Sequence, residues 1–403
     1  MDGPYIPLCI RFIPERTRGV MKFTPINIVV EKIYLQTPWW LETRAGLEIE
    51  LARNKLKPNY IYSSILPADN SYGLAILVGA TDYWINSMIE QSHQRGVKAV
   101  LASTEPVTST SGLSCVTVSR TAAMMDVVQY LYACGHQRMA YFGMDSDSVT
   151  DLHRYDGFMS MTRYLGIPAP DDSVFICTDN MDDCLTRFAD VHKKFDAVIC
   201  NNDLTAAFLL ANAVDYQLSI PNDLFVVGFG NTFLGRCASP SLTTSTLNLF
   251  EVGRQAVKTG LYSLQNTAVL SSITTVASTI IVRQSTDCRT VNTKKFIHEP
   301  LARSVKKIGH DHNLAKGPSM ATVYHLEQMI SLCGEIDLKI IQALKNGLSY
   351  PKIAETIFIS DSTLHYHIKK LYKMVAVSNR DEFVSIINKY MLGRENFCCL
   401  KKL

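Results

Sequence analysis

At 403 residues the chain exceeds one ordinary domain and fits two or three compact units joined by linkers. Hydrophobic residues at 47% against 19% charged give the balance of a folded chain and exclude a disordered one. The net charge of +3 is uneven: residues 335–403 carry 11 Lys/Arg against 7 Asp/Glu and residues 287–334 carry 7 against 4, which leaves residues 1–286 net acidic and gathers positive charge where a polyanion such as DNA would meet it.

Eleven cysteines are scattered through apolar runs such as Val198-Ile199-Cys200, without a CxxC pair, which favours buried reduced thiols over a disulfide framework or a metal site. No window of about 18 apolar residues offers a membrane span, and the N-terminus lacks the charged-then-apolar order of a signal peptide. A cytoplasmic location is expected, with no membrane partner.

Residues 1–26 form an N-terminal extension of uncertain status, with Met21 as an alternative start. From Asn27 onwards short apolar runs alternate with segments of helical period. The pattern predicts a strand over Ile28–Leu35, a helix over Trp40–Lys55, and strands over Tyr60–Leu66, Leu74–Val78 and Ala99–Ala102, with the helix Tyr83–Arg95 before the last. Helices Ala122–Cys134, Asp151–Leu165, Asp182–Lys193 and Leu204–Tyr216 then interleave with strands Arg138–Phe142, Val174–Thr178, Ala197–Cys200 and Leu224–Phe229. Strands separated by helices pair in parallel, so a doubly wound α/β architecture is expected. One link is awkward: Leu66 to Leu74 is too short for a helical crossover. Either a helix is missing there or the predicted strand edges are misplaced.

The residues then resemble the ligand-binding core of LacI/GalR repressors, itself similar to periplasmic sugar-binding proteins. The resemblance covers residues 27–286. Gln36-Thr37-Pro38-Trp39-Trp40 with Gly46 follows the first strand as the family's Ser-Asn-Pro-aromatic-aromatic loop does, and Gly135-His136-Gln137-Arg138-Met139-Ala140 resembles its Gly-His-Arg run. Arg154-Tyr155-Asp156-Gly157-Phe158, Asn202-Asp203, Val226-Val227-Gly228-Phe229, Pro240-Ser241-Leu242-Thr243-Thr244 and Val282-Arg283-Gln284-Ser285-Thr286 fall in the family's order. The resemblance implies two α/β lobes, with crossovers near Val118-Ser119, near Thr244-Ser245 and after Ser271, and a small-molecule effector, a sugar or other polar metabolite, in the cleft between them. It assigns ligand-binding roles to Trp39, Trp40, Arg154, Asn202 and Asn231. Trp39 and Trp40 read equally as packing residues, and Asn202 has the alternative of a helix cap; for Arg154 the alternative is a surface charge, against which its place in Arg-x-x-Gly-Phe favours the cleft. Gly230-Asn231 departs from the family: sugar-binding members carry an aspartate at the position of Gly230. Ser119-Arg120 likewise replaces an expected aspartate, which leans the ligand away from a simple sugar.

Residues 287–334 read as a basic linker ending in an amphipathic helix, with Met320, Val323, Leu326 (or Tyr324), Ile330 and Cys333 at helical spacing; this helix could pack on the last domain or pair two chains. Residues 335–392 then show four helical patterns, followed by a tail over 393–403. Ser349 and Pro351 start the second helix, Phe358-Ile359-Ser360 forms a turn, and Leu364, Ile368 and Leu371 face a small core. This run resembles the LuxR/NarL-type helix-turn-helix: Gly347-Leu348-Ser349, Ile353-Ala354, Ile359-Ser360, Thr363-Leu364, His367 and Val377-Ser378-Asn379-Arg380-Asp381-Glu382 match its pattern. The resemblance places His365, Tyr366 and Lys369 on base edges, and Ser349, Thr363, His367, Lys370 and Lys373 on phosphates. His365-Tyr366 replaces the usual Lys-Val, so an unusual operator is expected.

The expected whole is a two-lobed doubly wound periplasmic-binding-protein-like α/β core joined to a small all-α four-helix LuxR-type domain. Its expected function is that of a homodimeric transcriptional regulator that takes a small-molecule effector, binds a double-stranded DNA operator and uses no cofactor or metal. The alternative is a DNA-binding regulator whose core is a ligand-free dimerisation domain. A phosphorylated response regulator lacks its acidic cluster here, and no nucleophile–base pair or metal-ligand spacing points to an enzyme.

Overall fold

The computed structural model describes residues 24–36, 38–67, 72–79, 81–103, 113–167, 171–178, 180–286 and 318–391. The expectations for most of the N-terminal extension, for the linker up to residue 317 and for the C-terminal tail fall outside these residues.

Two sheets form the core, one wholly parallel and the other parallel but for a short antiparallel edge strand. Lobe one is built from β1 (Thr24–Val30), α1 (Pro38–Arg53), β2 (Leu56–Ile61), β3 (Leu74–Val78), α2 (Asp82–Gln94), β4 (Lys98–Ser103) and β5 (Ser114–Val118). The chain crosses to lobe two at α3 (Arg120–Ala133) and continues through β6 (Met139–Met144), α4 (Val149–Tyr164), β7 (Val174–Ile176), α5 (Met181–Ala189), β8 (Ala197–Cys200), α6 (Asp203–Asn212), β9 (Phe225–Phe229), α7 (Phe233–Cys237) and β10 (Thr243–Ser245). It returns to lobe one with α8 (Leu249–Gln265) and β11 (Ile273–Val276), and closes on lobe two with β12 (Ile280–Ile281). The strand orders are β11-β5-β4-β3-β1-β2 and β12-β10-β9-β8-β6-β7. All three crossovers fall where the resemblance implies them, after Val118, after Ser245 and beyond Ser271.

Lobe one shows where local patterning misleads. β1 starts at Thr24 and ends at Val30, four residues ahead of the expected strand at its start. It ends because Glu31 turns its carboxylate to the loop after β3, accepting from the Thr81 backbone N–H at 3.1 Å and from the Thr81 hydroxyl. β2 runs over Leu56–Ile61 in place of Tyr60–Leu66 and pairs Thr24 with Leu56 through Val29 with Ile61. As the edge strand it accommodates Pro58, which has no N–H to donate. The awkward link resolves the same way. β1 lies between β2 and β3, and no helix occurs among the described residues of the connection. That connection is pinned on α2 instead, by Trp84 Nε1 donating to Ser63 O at 3.1 Å and by Gln91 Oε1 accepting from Leu66 N at 2.8 Å.

Helix α8, which the apolar periodicity did not single out, packs on α1 so closely that a Cβ at Gly46 would lie 1.9 Å from Phe250 O and one at Gly253 would lie 2.2 Å from Thr43 O. Gly46, which follows the tryptophan pair on α1, is therefore a packing requirement of lobe one. Gly157 has the same role in lobe two, where a Cβ would meet Thr121 O of α3 at 2.5 Å.

The C-terminal part is helical throughout its described length: α9 (Pro318–Leu332), α10 (Glu335–Lys345), α11 (Tyr350–Ile357), α12 (Asp361–Val375) and α13 (Arg380–Tyr390). No strand occurs among described residues 335–391. One continuous apolar cluster runs from Phe142, Phe188 and Phe208 of lobe two through Met320, Val323, Leu326, Met329 and Ile330 of α9 to Leu364, Leu371 and Phe383. Helix α9 is thus embedded between the core and the last domain, touching α5, α6 and α7 on one side and α12 on the other.

Candidate ligand cleft and nucleic-acid interface

The carboxyl ends of β6, β8 and β9 feed directly into α4, α6 and α7, which gathers polar side chains at one edge of lobe two. Arg154 lies there on α4 and is buried. Its Nη1 donates to Asp151 Oδ1 at 2.9 Å, and its guanidinium lies 4.7 Å over the Phe229 ring at the end of β9. Asp151 also accepts from Asn201 Nδ2 and from the Asp145 backbone N–H, each at 3.0 Å. Burial raises the Asp151 carboxyl above its ordinary range, and Arg154 and Asn201 oppose that shift. Arg154 is therefore an internally compensated group rather than a solvated surface charge.

A second knot lies beside it. Asp203, fully buried, accepts from Thr244 Oγ1 at 2.6 Å and from the Thr232 N–H at 2.8 Å. Burial pushes its carboxyl up to about 6 against the pull of Thr244, Thr232 and Arg283. Asn231 takes a left-handed φ of 53°, donates its N–H to Thr244 Oγ1 at 3.2 Å, and accepts on Oδ1 from Arg283 Nη2 at 2.6 Å. Asn202 caps α6, its Oδ1 accepting from Leu204 N at 2.9 Å and Thr205 N at 3.0 Å.

The paired tryptophans separate into two roles. Trp40 is buried in the core of lobe one, edge-on to Tyr60 at 5.8 Å. Trp39 reaches across the lobes: a Cβ at Gly230 would lie 3.4 Å from its Nε1. Gly230, at φ +124°, thus brings its backbone against the indole at the position where the resembled family carries aspartate. Trp39 Nε1, Arg154 Nε, Asn201 Oδ1 and Ser245 Oγ are buried atoms with no hydrogen-bond partner among the described residues. Each such atom costs about 1–3 kcal/mol, and a polar ligand in the cleft would relieve that cost.

In the last domain, α11 and α12 are joined through Phe358, which adopts a left-handed φ of 60° and is 92% exposed. Ser360 caps α12 by accepting from Thr363 N at 3.2 Å. Leu364, Ile368, Leu371 and Val375 are buried, which turns His365, Tyr366, Lys369 and Lys373 outward on one exposed face; Tyr366 is 69% exposed. Ser349 begins α11 with no bond from its side chain to the helix, and Thr363 is half-buried against Ser360.

His367 and Lys370 are engaged inside the protein. His367 Nδ1 lies 2.6 Å from Asp337 Oδ1, and Lys370 Nζ donates to Asp337 Oδ2 at 2.9 Å. Burial raises the Asp337 carboxyl, but Lys370, the Gly334 N–H and His367 outweigh burial and hold it below its ordinary value.

Helix α9 adds three polar contacts with lobe two. Glu327, buried on α9, accepts from Phe233 N at 3.0 Å and Leu234 N at 2.7 Å, the first turn of α7. Burial pushes its carboxyl up to about 7, opposed by those two N–H groups and reinforced by Asp203. Ser319 Oγ donates to Asp182 Oδ1 at 3.1 Å, and the Tyr324 hydroxyl, raised chiefly by burial, lies within the field of Asp151 and Asp145. Sequence reasoning passed over Asp151 and Asn201, and quoted Asp203 beside Asn202 without giving it a role. Asp151 had a usable signal, standing three residues before Arg154 on the same helix. Glu327 had none beyond being a lone acid on an apolar helix.

Comparison with known proteins bears on both halves. Residues 128–286 match the periplasmic binding protein-like domain family, and residues 335–374 match a family described as winged helix-turn-helix DNA-binding. The second match supports a helix-turn-helix but not the LuxR/NarL type expected from the sequence. The catabolite control protein A of Priestia megaterium is 26% identical over 202 residues, covering 49% of this chain and 60% of that protein. The HTH-type transcriptional repressor CytR of Escherichia coli is 28% identical over 179 residues, covering 43% and 52%. The chain thus spans between half and two thirds of the length of these relatives. Among solved structures, a transcriptional regulator CelR–cellobiose complex superposes with a TM-score of 0.57 at 18% identity, covering 66% of this chain and 86% of that one. This likeness establishes a shared two-lobed fold.

Proposed function

We propose that the chain is a ligand-responsive, DNA-binding transcriptional regulator. Its two-lobed core takes a sugar or other polar metabolite, its last domain binds a double-stranded operator, and two copies act together on a two-fold site in the cytoplasm. The observation that carries the reading is the pairing, in one chain, of a cleft with buried partnerless polar atoms and a capped helix with His365, Tyr366 and Lys369 on its open face. Transcriptional repressors among the relatives support it, as does the cellobiose held by the fold neighbour. The four-helix order with no strand among described residues 335–391 favours the LuxR/NarL type over a winged one. In this reading Trp39, Arg154 and Asn231 line the effector site, Trp40 and Asn202 shape it from behind, and Ser349, Thr363 and Lys373 meet phosphate. His367 and Lys370 reach phosphate only by sharing it with Asp337. No catalytic step is assigned.

A thermal-shift screen against sugars, sugar acids and amino acids tests the reading. A metabolite at 100 times its Kd stabilises the fold by about 2.7 kcal/mol. A screen with no stabilising compound would instead support a core that only dimerises.

A further inference from the structure

We propose that α9 is the transmission element of the molecule, docked on lobe two at the cleft and on the recognition helix α12, so that the packing of the cleft residues and the order of α12 are set by one seat. The proposal rests on the regulator reading for its purpose but on geometry for its content. Helix α9 touches α5, α6 and α7, reaches α1 of lobe one, and packs against α12, while α13 makes a smaller contact of its own with α6.

The seat is held at three points along the helix. Ser319 binds Asp182 in the first turn of α5, Tyr324 stands by the Asp151–Asp145 end of the cleft, and Glu327 accepts both of the leading N–H groups of α7. Helix α7 follows directly from the Gly230-Asn231-Thr232 segment, and Thr232 N–H and Thr244 both bind Asp203. A shift of that segment when a ligand meets Trp39, Asn231 or Arg154 therefore moves the donors that Glu327 holds. On the opposite side the apolar face of α9 shares a cluster with Leu364, Ile368 and Leu371 of α12, and Asp337, which follows α9 by a short turn, grips His367 and Lys370. A buried carboxylate with two fixed donors and a close-packed apolar face has few intermediate positions, which suits a two-state element.

Hydrogen exchange on the full chain, with no effector or DNA present, tests the coupling. Its failure would leave the regulator reading standing, and a failed ligand screen would leave the coupling standing. In Glu327→Ala we expect exchange to rise about tenfold in 318–332, in the cleft segment 144–151 and in 361–375, while β3 and β4 of lobe one keep wild-type rates. Glu327→Gln, which keeps an acceptor oxygen, should give a smaller rise in the same three places. From the other end, Asn201→Ala removes a bond to Asp151 and should raise exchange in 318–332 and 361–375. Changes confined to α7 and α9 in the Glu327 variants, or an unmoved α9 in Asn201→Ala, would overturn the proposal. If Glu327→Ala does not fold, Glu327→Gln and Asn201→Ala decide it.

Discussion

The cleft and helix α12 use charge in opposite ways. At the cleft Arg154, Asp151 and Asp203 are withdrawn from water and tied to named partners. On α12 Lys369 and Lys373 stand in solvent with the exposed rings of His365 and Tyr366 beside them. Each arrangement suits a different ligand. A small polar molecule binds by completing hydrogen bonds in a desolvated, pre-shaped space. DNA binds largely by exchanging its counterions for protein cations, which must be accessible and hydrated beforehand. Lys370 sits between the two regimes, half-buried on α12 and paired with Asp337, and so tests where the boundary lies.

The comparison predicts a graded set of responses. Arg154→Ala leaves Asp151 as a buried carboxylate without its cation, so unfolding stability should fall by about 3–5 kcal/mol in denaturant titration. A variant as stable as wild type would show that Arg154 is solvated after all. Lys369→Ala should leave stability within about 0.5 kcal/mol while weakening binding to a selected duplex by about 1–3 kcal/mol. Lys373→Ala should lower the salt slope of DNA binding by about one ion. Lys370→Ala should instead cost stability, about 1 kcal/mol given its partial exposure, with the salt slope nearly unchanged; an equal drop in slope for both lysines would place Lys370 on the DNA face.

The smallest effect is on pH. Glu327 has a folded-state carboxyl near 7 against an ordinary 4.5, so its contribution is fully present below pH 4.5 and is lost as pH rises through 7. The groups facing it are Asp203 from α6, itself raised to about 6, and Arg236 from α7. The seat of α9 should loosen between pH 4.5 and 7, read as faster exchange in 318–332 after correction for intrinsic rates. Glu327→Gln should flatten that profile, and a Gln variant with the wild-type profile would assign the titration to Asp203.

The last domain was the more legible half, since capping, turn and apolar spacing are local and Ser360, Leu364, Ile368 and Leu371 obey them. In the core, the alternation of strands and helices was readable, and the family resemblance implied all three crossovers. The edges of β1 and β2 were not, because Glu31 and the α2 contacts that set them are distant in sequence. Trp39 and Trp40 look alike in the chain, and only the opposed lobe at Gly230 distinguishes them. The mutual compensation of Arg154, Asp151 and Asn201 joins residues 50 apart, beyond any spacing rule.

The central claim is that one chain joins a small-molecule cleft to a DNA-reading helix, and one titration tests it most directly. A duplex selected from a random pool by the full chain is titrated by fluorescence anisotropy with and without a metabolite that raises Tm. The account predicts that the metabolite changes the duplex Kd by about 5–150-fold, the usual range of coupling between two sites. An identical Kd in both titrations, with the metabolite demonstrably bound, would contradict it.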